Sequence, residues 1–329
     1  MKHRYLGQAG VEVSAIGLGC MGMSEFYGAS DDGDSLRTLA RAVELGVSLF
    51  DTADTYGFGH NESLLGRFLA DGGAARRARV RISTKFGIVR EAGCYERRID
   101  NSPGYVRAAC EASLRRLGVE HIDLYFCHRR HPEVPLEDMV GAMGDLVTAG
   151  KVGQIGLEVS AETLRRAHAV HPVAAVQSEY SLWSREPEEG VLAACAEIGA
   201  SFIAYSPLGR AFLTGRLKLD ELAEGDFRRV NPRFEAGAAA INRRLVDGLT
   251  EFAARYRASN AQIALAWLLA KHPHVIPIPG TRRPDRLAEN MAAADLMLSS
   301  AELAELAALF HPTQVAGARY PEAGMAGIE

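Results

Sequence analysis

The sequence lacks any long apolar run. No stretch approaches the ~20 residues needed to cross a bilayer, so no membrane span is expected. The amino terminus, MKHRYLGQAG, has basic residues but no apolar segment behind them, which argues against a signal peptide. Cysteine is sparse. Cys20, Cys94, Cys110, Cys127 and Cys195 are odd in number, scattered, and never spaced Cys-x-x-Cys. That excludes a paired disulfide framework and fits free thiols in a reducing cytoplasm. A surplus of one charge is missing too: 37 basic and 41 acidic residues give a net charge of -4. Nothing there calls for nucleic acid or an anionic membrane as partner.

What is present is an ordinary globular composition, 47% hydrophobic and 24% charged over 329 residues. That is more than twice the usual domain length. One α/β barrel, however, takes about 250 residues plus insertions. Continuous apolar runs are expected as strands near Val13–Leu18, Val47–Phe50, Val80–Thr84, Ile122–Cys127, Gln154–Leu157, Ala174–Gln177, Phe202–Tyr205 and Val275–Pro277. Such runs suit parallel strands covered on both faces. Amphipathic helices fall between them. Ser102-Pro103 opens one that ends at Gly118, Ser160 caps another, Asp34-Ser35 starts a third, and Ala301–Phe310 follows Ser299-Ser300. Eight strand–helix alternations point to a single (β/α)8 barrel spanning 1–329, with a doubly wound open sheet as the competing arrangement. Two segments stand outside the pattern: an insertion at 209–244 and a Gly/Ala-rich tail at 313–329. An insertion of that length inside a compact domain reads as a lid or binding loop. The basic run Arg76–Arg81 reads as a solvated loop.

Gly17-Leu18-Gly19-Cys20-Met21-Gly22 matches the dinucleotide pattern G-x-G-x-x-G. That mechanism needs a helix opening at the third glycine. Helical patterning here resumes only near Asp34, so the run is read instead as a tight loop after the first strand.

The chemistry collects elsewhere. Asp51 and Tyr56 follow the second strand, Lys85 ends the third, and His128 closes the fourth. In a barrel, the C-terminal ends of strands form the active-site rim. An acid, a phenol, an amine and an imidazole meeting there can protonate a carbonyl oxygen while a hydride reaches its carbon. Tyr56 is the candidate general acid. Lys85 is expected to lower its pKa, Asp51 to hold Lys85 charged, and His128 to hydrogen-bond the substrate oxygen. No metal is required. The pairs His128/His131 and His168/His171 lack a carboxylate or cysteine at ligand spacing.

Over nearly its whole length the chain resembles the aldo-keto reductase superfamily. The resemblance rests on Gly17–Ser24, Phe50-Asp51-Thr52-Ala53-Asp54-Thr55-Tyr56-Gly57, Ser83-Thr84-Lys85, Ala175-Val176-Gln177-Ser178-Glu179-Tyr180-Ser181, Tyr205-Ser206-Pro207-Leu208-Gly209 and Ile278–Arg283, in that order. The wording is nearest to a bacterial and plant branch whose members reduce pyridoxal and other small aldehydes. The family tetrad falls on Asp51, Tyr56, Lys85 and His128. The resemblance implies an extended NADPH. Tyr205 would stack on the nicotinamide and Gln177 would bind its carboxamide, with Gly19, Cys20 and Met21 nearby. Ser206, Pro207, Leu208 and Gly209 would follow the pyrophosphate. Gly280, Thr281, Arg282, Arg286, Glu289 and Asn290 would hold the adenosine end. Arg282, Arg283 and Arg286 also cluster at a loop-to-helix junction that offers positive charge to a 2′-phosphate, so NADP(H) is expected over NAD(H).

Two departures stand out. The branch usually reads Gly-Leu-Ser-Glu-x-Ser after strand five, where this chain reads Gly156-Leu157-Glu158-Val159-Ser160. One serine is absent, so a different loop path is expected, with Ser160 as helix cap. After the histidine the family favours Arg-x-Asp-Pro, but here the run is Arg129-Arg130-His131-Pro132. Two cations without the acid should lower the pKa of His128. Met23, Phe26, Tyr27, Trp183 and Tyr320 are candidate substrate-lining residues, suited to a small, partly apolar carbonyl. Trp183 has core packing as an equal alternative, and packing would also explain Cys20 and Met21. The leading expectation is NADPH-dependent reduction of an aldehyde or ketone. The alternatives are an NADP(H)-binding sensor subunit with little turnover, or the same site run as an alcohol dehydrogenase.

Overall fold

The structure is a computed structural model that describes residues 2–91 and 97–329; Cys94 lies outside the described residues. Eight parallel strands form one curled sheet: β1 (Leu18–Gly19), β2 (Leu49–Asp51), β3 (Arg81–Phe86), β4 (Ile122–Cys127), β5 (Val152–Leu157), β6 (Val173–Glu179), β7 (Ser201–Tyr205) and β8 (Val275–Pro277). Each pairs with its neighbour in sequence. The first strand then bonds back toward the last. Gly17 N donates to Pro277 O at 2.9 Å, Gly19 N donates to Pro279 O at 3.3 Å, and Gly19 bridges Gly280 in parallel. A Cβ on Gly19 would sit 2.9 Å from Ile278 O. Gly17 and Gly19 therefore serve the seam of the sheet. Only a short 3-10 turn, Met21–Met23, follows them before helix α1 (Asp32–Glu44).

The sheet sorts its side chains by strand alternation. Leu124 and Phe126 of β4 join Leu49, Ala175, Ile203 and Ile276 in an inner cluster, while Tyr125 and Cys127 pack outward against the helices. Gly156 admits Phe126: a Cβ there would lie 2.2 Å from the ring. Leu6 and Val13 close the bottom of the inner cluster from an antiparallel hairpin, His3–Leu6 with Val11–Ser14. This corrects the expected first strand. Val13 belongs to the hairpin plug, and the sheet strand begins only at Leu18.

The helices α2 (His60–Arg79), α3 (Pro103–Leu117), α4 (Leu136–Thr148), α5 (Ala161–Val170) and α6 (Val191–Ile198) follow β2 to β6 in turn. Their ends match the sequence signals. Ser102 Oγ accepts from Tyr105 N, Gly118 ends α3 at φ 64°, and Ser160 caps α5 by accepting from Thr163 N. The basic run is a second correction. Arg76 to Arg79 complete the last turn of α2, and Arg77 pairs with Asp123 at 2.9 Å instead of lying in a solvated loop.

After β7 the chain makes four short 3-10 turns before α7 (Ala236–Arg255), so the last part of the expected insertion is helical. Then come α8 (Asn260–Lys271), β8, α9 (Pro284–Ala292) and α10 (Ser300–Leu309). The tail folds back onto the insertion: Asn242 Nδ2 donates to Ala316 O (2.9 Å) and Asn231 Nδ2 donates to Arg319 O (3.2 Å). Gly317, at φ +86°, permits this, because a Cβ there would lie 2.5 Å from Pro232 O.

Candidate active site

Asp51 is the last residue of β2 and Lys85 the next to last of β3, and their strands are paired in register. Both side chains are buried. Lys85 Nζ donates to Asp51 Oδ2 at 2.6 Å and to Thr52 O at 2.7 Å, and lies 3.4 Å from Tyr56 Oη. Asp51 Oδ1 accepts from Ser83 Oγ and from Gln177 Nε2, both at 2.9 Å. A buried carboxylate with several donors and an ammonium partner meets the condition for keeping charge out of water. The Tyr56 ring is buried and meets the half-buried His128 ring edge-to-face, with centroids 5.9 Å apart. The four expected residues thus come together.

The loop carrying Tyr56 is held from behind. Asp54 N donates to Lys85 O, Thr52 Oγ1 to Asn61 Oδ1, and Thr84 Oγ1 to Glu62 Oε1. Glu62 is fully buried and pairs with Arg116 at 2.6 Å. On the outer side Arg90 pairs with Glu25 at 2.7 Å and donates to Thr55 O at 3.1 Å, while Glu25 accepts from Gly57 N. Neither pair was singled out in the sequence, where Glu25 and Arg90 lie 65 positions apart.

One expected effect is reversed. Burial first, then the Asp51 carboxylate, push the Tyr56 phenol well above its ordinary value of 10. The ammonium of Lys85 is committed to Asp51 and to a carbonyl, and does not win. Tyr56 therefore stays protonated, ready to donate.

Beyond β5, Glu158 is buried and pairs with Arg129, while Arg130 pairs with Glu329. The two cations expected to act on His128 each have a carboxylate partner. The shortened loop still delivers Ser160 as cap of α5. Tyr205 ends β7, half-buried, and its hydroxyl donates to Glu158 Oε1 at 3.1 Å, meets Tyr320 Oη at 3.1 Å and accepts from Arg319. The Ser206–Gly209 turn follows, with Ser206 at φ 48° and Gly209 at φ 55°. A Cβ on Gly209 would strike the Trp183 ring at 2.5 Å. At the far end of the mouth Arg282 donates to Tyr27 O (3.0 Å) and to Ala29 O. Arg286 pairs with Glu289 at 2.8 Å, Asn290 is buried, and Gly280 and Thr281 lead into α9.

The lining candidates divide. Tyr27 and Tyr320 are half-buried at the mouth, and Phe26 meets Phe227 of the insertion at 6.2 Å. Met23 and Cys20 are fully buried in the core; Met21 is half-buried. Trp183 is a packing residue, 3% exposed, with Phe212 at 5.3 Å and Phe234 at 6.3 Å. Among the described residues no group of three or more His, Cys, Asp or Glu could hold a metal ion.

A model of the aldo/keto reductase family matches residues 15–310. The chain belongs to the aldo/keto reductase family. It is 43% identical over 314 residues to an aldo-keto reductase of Schizosaccharomyces pombe, yakc, whose name carries NADP(+); the match covers 94% of this chain and 92% of the relative. Among solved structures it is similar to a thermostable aldo-keto reductase crystallised with the inhibitor epalrestat (30% identity, TM-score 0.76, 94% of this chain and 100% of the other). It is also similar to the glycerol dehydrogenase of Gluconobacter oxydans (27% identity, TM-score 0.84, 94% and 96%).

Proposed function

We propose that this chain is an NADP(H)-dependent oxidoreductase that reduces an aldehyde or ketone to an alcohol, with Tyr56 as proton donor. The observation that carries the reading is the buried Asp51–Lys85 ion pair with Tyr56 Oη 3.4 Å from the ammonium, at adjacent strand ends. Tyr56 hydrogen-bonds the carbonyl oxygen and gives it the proton. Lys85 steadies the phenolate left behind, Asp51 fixes Lys85, and His128 orients the oxygen from the side.

The residues present fit the cofactor. Gln177 gives one of its two amide N–H groups to Asp51, and its carbonyl can accept from a carboxamide. Tyr205 offers a ring, and the turn from Ser206 through Pro207 and Leu208 to Gly209 follows it. The start of α9, with Arg282, Arg283 and Arg286, supplies N–H groups and charge for a phosphate. Gly19, Cys20 and Met21 would border the nicotinamide from β1, and Thr281, Glu289 and Asn290 the adenosine. Bound there, NADPH supplies the hydride for the carbonyl carbon.

The finer assignments belong to the same proposal. The chain sits in the branch reducing pyridoxal-like and other small aldehydes, as a single domain of 1–329. Segment 209–244 covers the cofactor, and the tail 313–329 helps shape the substrate mouth with Tyr27 and Tyr320. A cytoplasmic protein is supported by the buried free thiols and by the absence, among the described residues, of a helix long and apolar enough to cross a membrane. The partner is a small carbonyl compound.

The test is NADPH oxidation against pyridoxal, methylglyoxal, nitrobenzaldehyde and keto sugars, repeated with NADH. Turnover on at least one carbonyl with a preference for NADPH is expected. Tight NADPH binding without turnover on any carbonyl would overturn catalysis in favour of a sensor.

A further inference from the structure

Beside the tetrad, three buried arginines, Arg129, Arg210 and Arg233, and the half-buried Arg319 meet only two buried glutamates. Arg129 pairs with Glu158, and Arg319 reaches the same carboxylate at 3.2 Å. Arg210 pairs with Glu179 at 2.7 Å, and Arg233 and Arg319 approach it at 3.4 Å. Glu179 is fully buried. Burial alone would raise its pKa, but Arg210, then Arg319 and Arg233, hold it below the usual carboxylate range. Both carboxylates are thus already shared; among these six side chains two positive charges remain in excess, and Glu186 is a further acid acting on Arg233. The nearby Asp226 does not offset them, since it pairs with Arg228. Arg129 and Arg210 are 5% and 6% exposed, yet Nε of the first and Nη1 of the second are buried without a hydrogen-bond partner.

A guanidinium cannot shed its proton to relieve such a site. Uncompensated buried charge is costly unless an anion completes it. Bidentate guanidinium chemistry matches carboxylate and phosphate oxygens.

We propose that this cluster binds an acidic group on the substrate, so that the preferred aldehyde or ketone carries a carboxylate or phosphate. The proposal rests on the reductase reading and names its substrate class. The cofactor's own phosphates are a second source of the same chemistry. Position favours the substrate. Arg129 follows His128 directly, donates to its carbonyl at 2.8 Å, and is among the charges acting on the Tyr56 phenol. Arg210 and Arg319 both lie against the Tyr320 ring, at 4.7 and 5.4 Å. The cluster therefore faces the reacting end, and a dinucleotide's phosphates lie several bonds from its nicotinamide.

The test compares 4-carboxybenzaldehyde with 4-carbamoylbenzaldehyde, nearly equal in shape and different in charge, at saturating NADPH. The acid should be reduced with kcat/KM about tenfold or more above the amide, the worth of one hydrogen bond to a charged group. In Arg129→Gln this ratio should collapse through KM of the acid, with NADPH affinity unchanged. Arg319→Gln, on the tail, gives the second reading if Arg129→Gln fails to fold. Equal use of the two aldehydes by the wild type overturns the proposal. So does a variant that keeps the ratio but loses NADPH affinity, which would assign the cluster to the cofactor. If neither aldehyde turns over, the reductase reading is decided by the wider carbonyl panel above and the anion site is tested separately. Anion recognition is then read from melting temperature with NADP+ present. Benzoate but not benzamide should stabilise the wild type, an effect lost in the variants, and its absence overturns the site.

Discussion

The ion pair of Asp51 with Lys85 and the arginine cluster around Glu158 and Glu179 both lie buried at the mouth of the sheet, but only the first is balanced. One ammonium meets one carboxylate, and the remaining lone pairs accept from Ser83 and Gln177. The pair is complete without a ligand. The second cluster carries more guanidinium than carboxylate and keeps buried N–H groups without partners. A balanced pair holds a proton donor in place whatever enters. An unbalanced one is completed by what enters. Chemistry and selectivity are thereby separated across the mouth.

Breaking the balanced side should have the largest effect. Lys85→Met leaves Asp51 buried without its counter-ion. It should lower stability by about 3–5 kcal/mol in denaturant unfolding and turnover by roughly a hundredfold or more. Unchanged stability would mean that the pair is not held as described. On the unbalanced side, Glu158→Gln raises the charge excess. It should cost up to about 3 kcal/mol, and inorganic phosphate should restore more of the melting temperature in the variant than in the wild type. Equal responses would argue that the excess is screened by solvent.

Asp54 makes a smaller contrast. Its Oδ1 is shielded and unpartnered among the described residues; burial, then Glu62, raise its pKa well above the usual value. An acid whose folded pKa exceeds its unfolded one binds its proton more tightly when folded. Its contribution to stability therefore falls as pH rises from the unfolded value through the folded one. Asp54→Asn should gain about 1 kcal/mol or more near neutrality, the worth of one pKa unit, with the gain vanishing in acid. A loss at pH 7 would contradict this. The smallest effect expected is none at all. Because Tyr56 stays protonated past pH 10, kcat for reduction should show no fall from this group between pH 7 and 9, whereas alcohol oxidation, which needs the phenolate, should still be climbing at pH 10. A reduction rate that falls with an apparent pKa near 8 would assign the proton to another group.

The same contrast explains what the sequence made legible. Asp51 and Tyr56 sit within one short motif, and Lys85 and His128 close apolar strands, so their convergence follows from strand order. Seven of the eight strand positions were evident for the same reason. The first was misplaced because the apolar stretch from Val13 to Leu18 runs through a hairpin, a bend and a strand without a change of character. The arginine cluster was not legible. Its members come from the loops after β4, β5 and β7, from the end of β6, from the insertion and from the tail. Arg319 lies in no motif, and only folding brings it to Tyr205. The Arg129-Arg130 run was a visible signal, but its partners, Glu158 and Glu329, were not predictable from spacing. Burial also defeated the simple expectation for Tyr56, since desolvation and the Asp51 carboxylate together outweigh the adjacent ammonium.

The central claim is that Tyr56 gives the proton in an NADP(H)-dependent reduction. It is tested most directly by Tyr56→Phe, with NADPH binding and turnover measured on the same preparation. NADPH affinity should be unchanged and turnover should fall by about 10²–10⁴-fold. Turnover within a few-fold of the wild type would contradict the account.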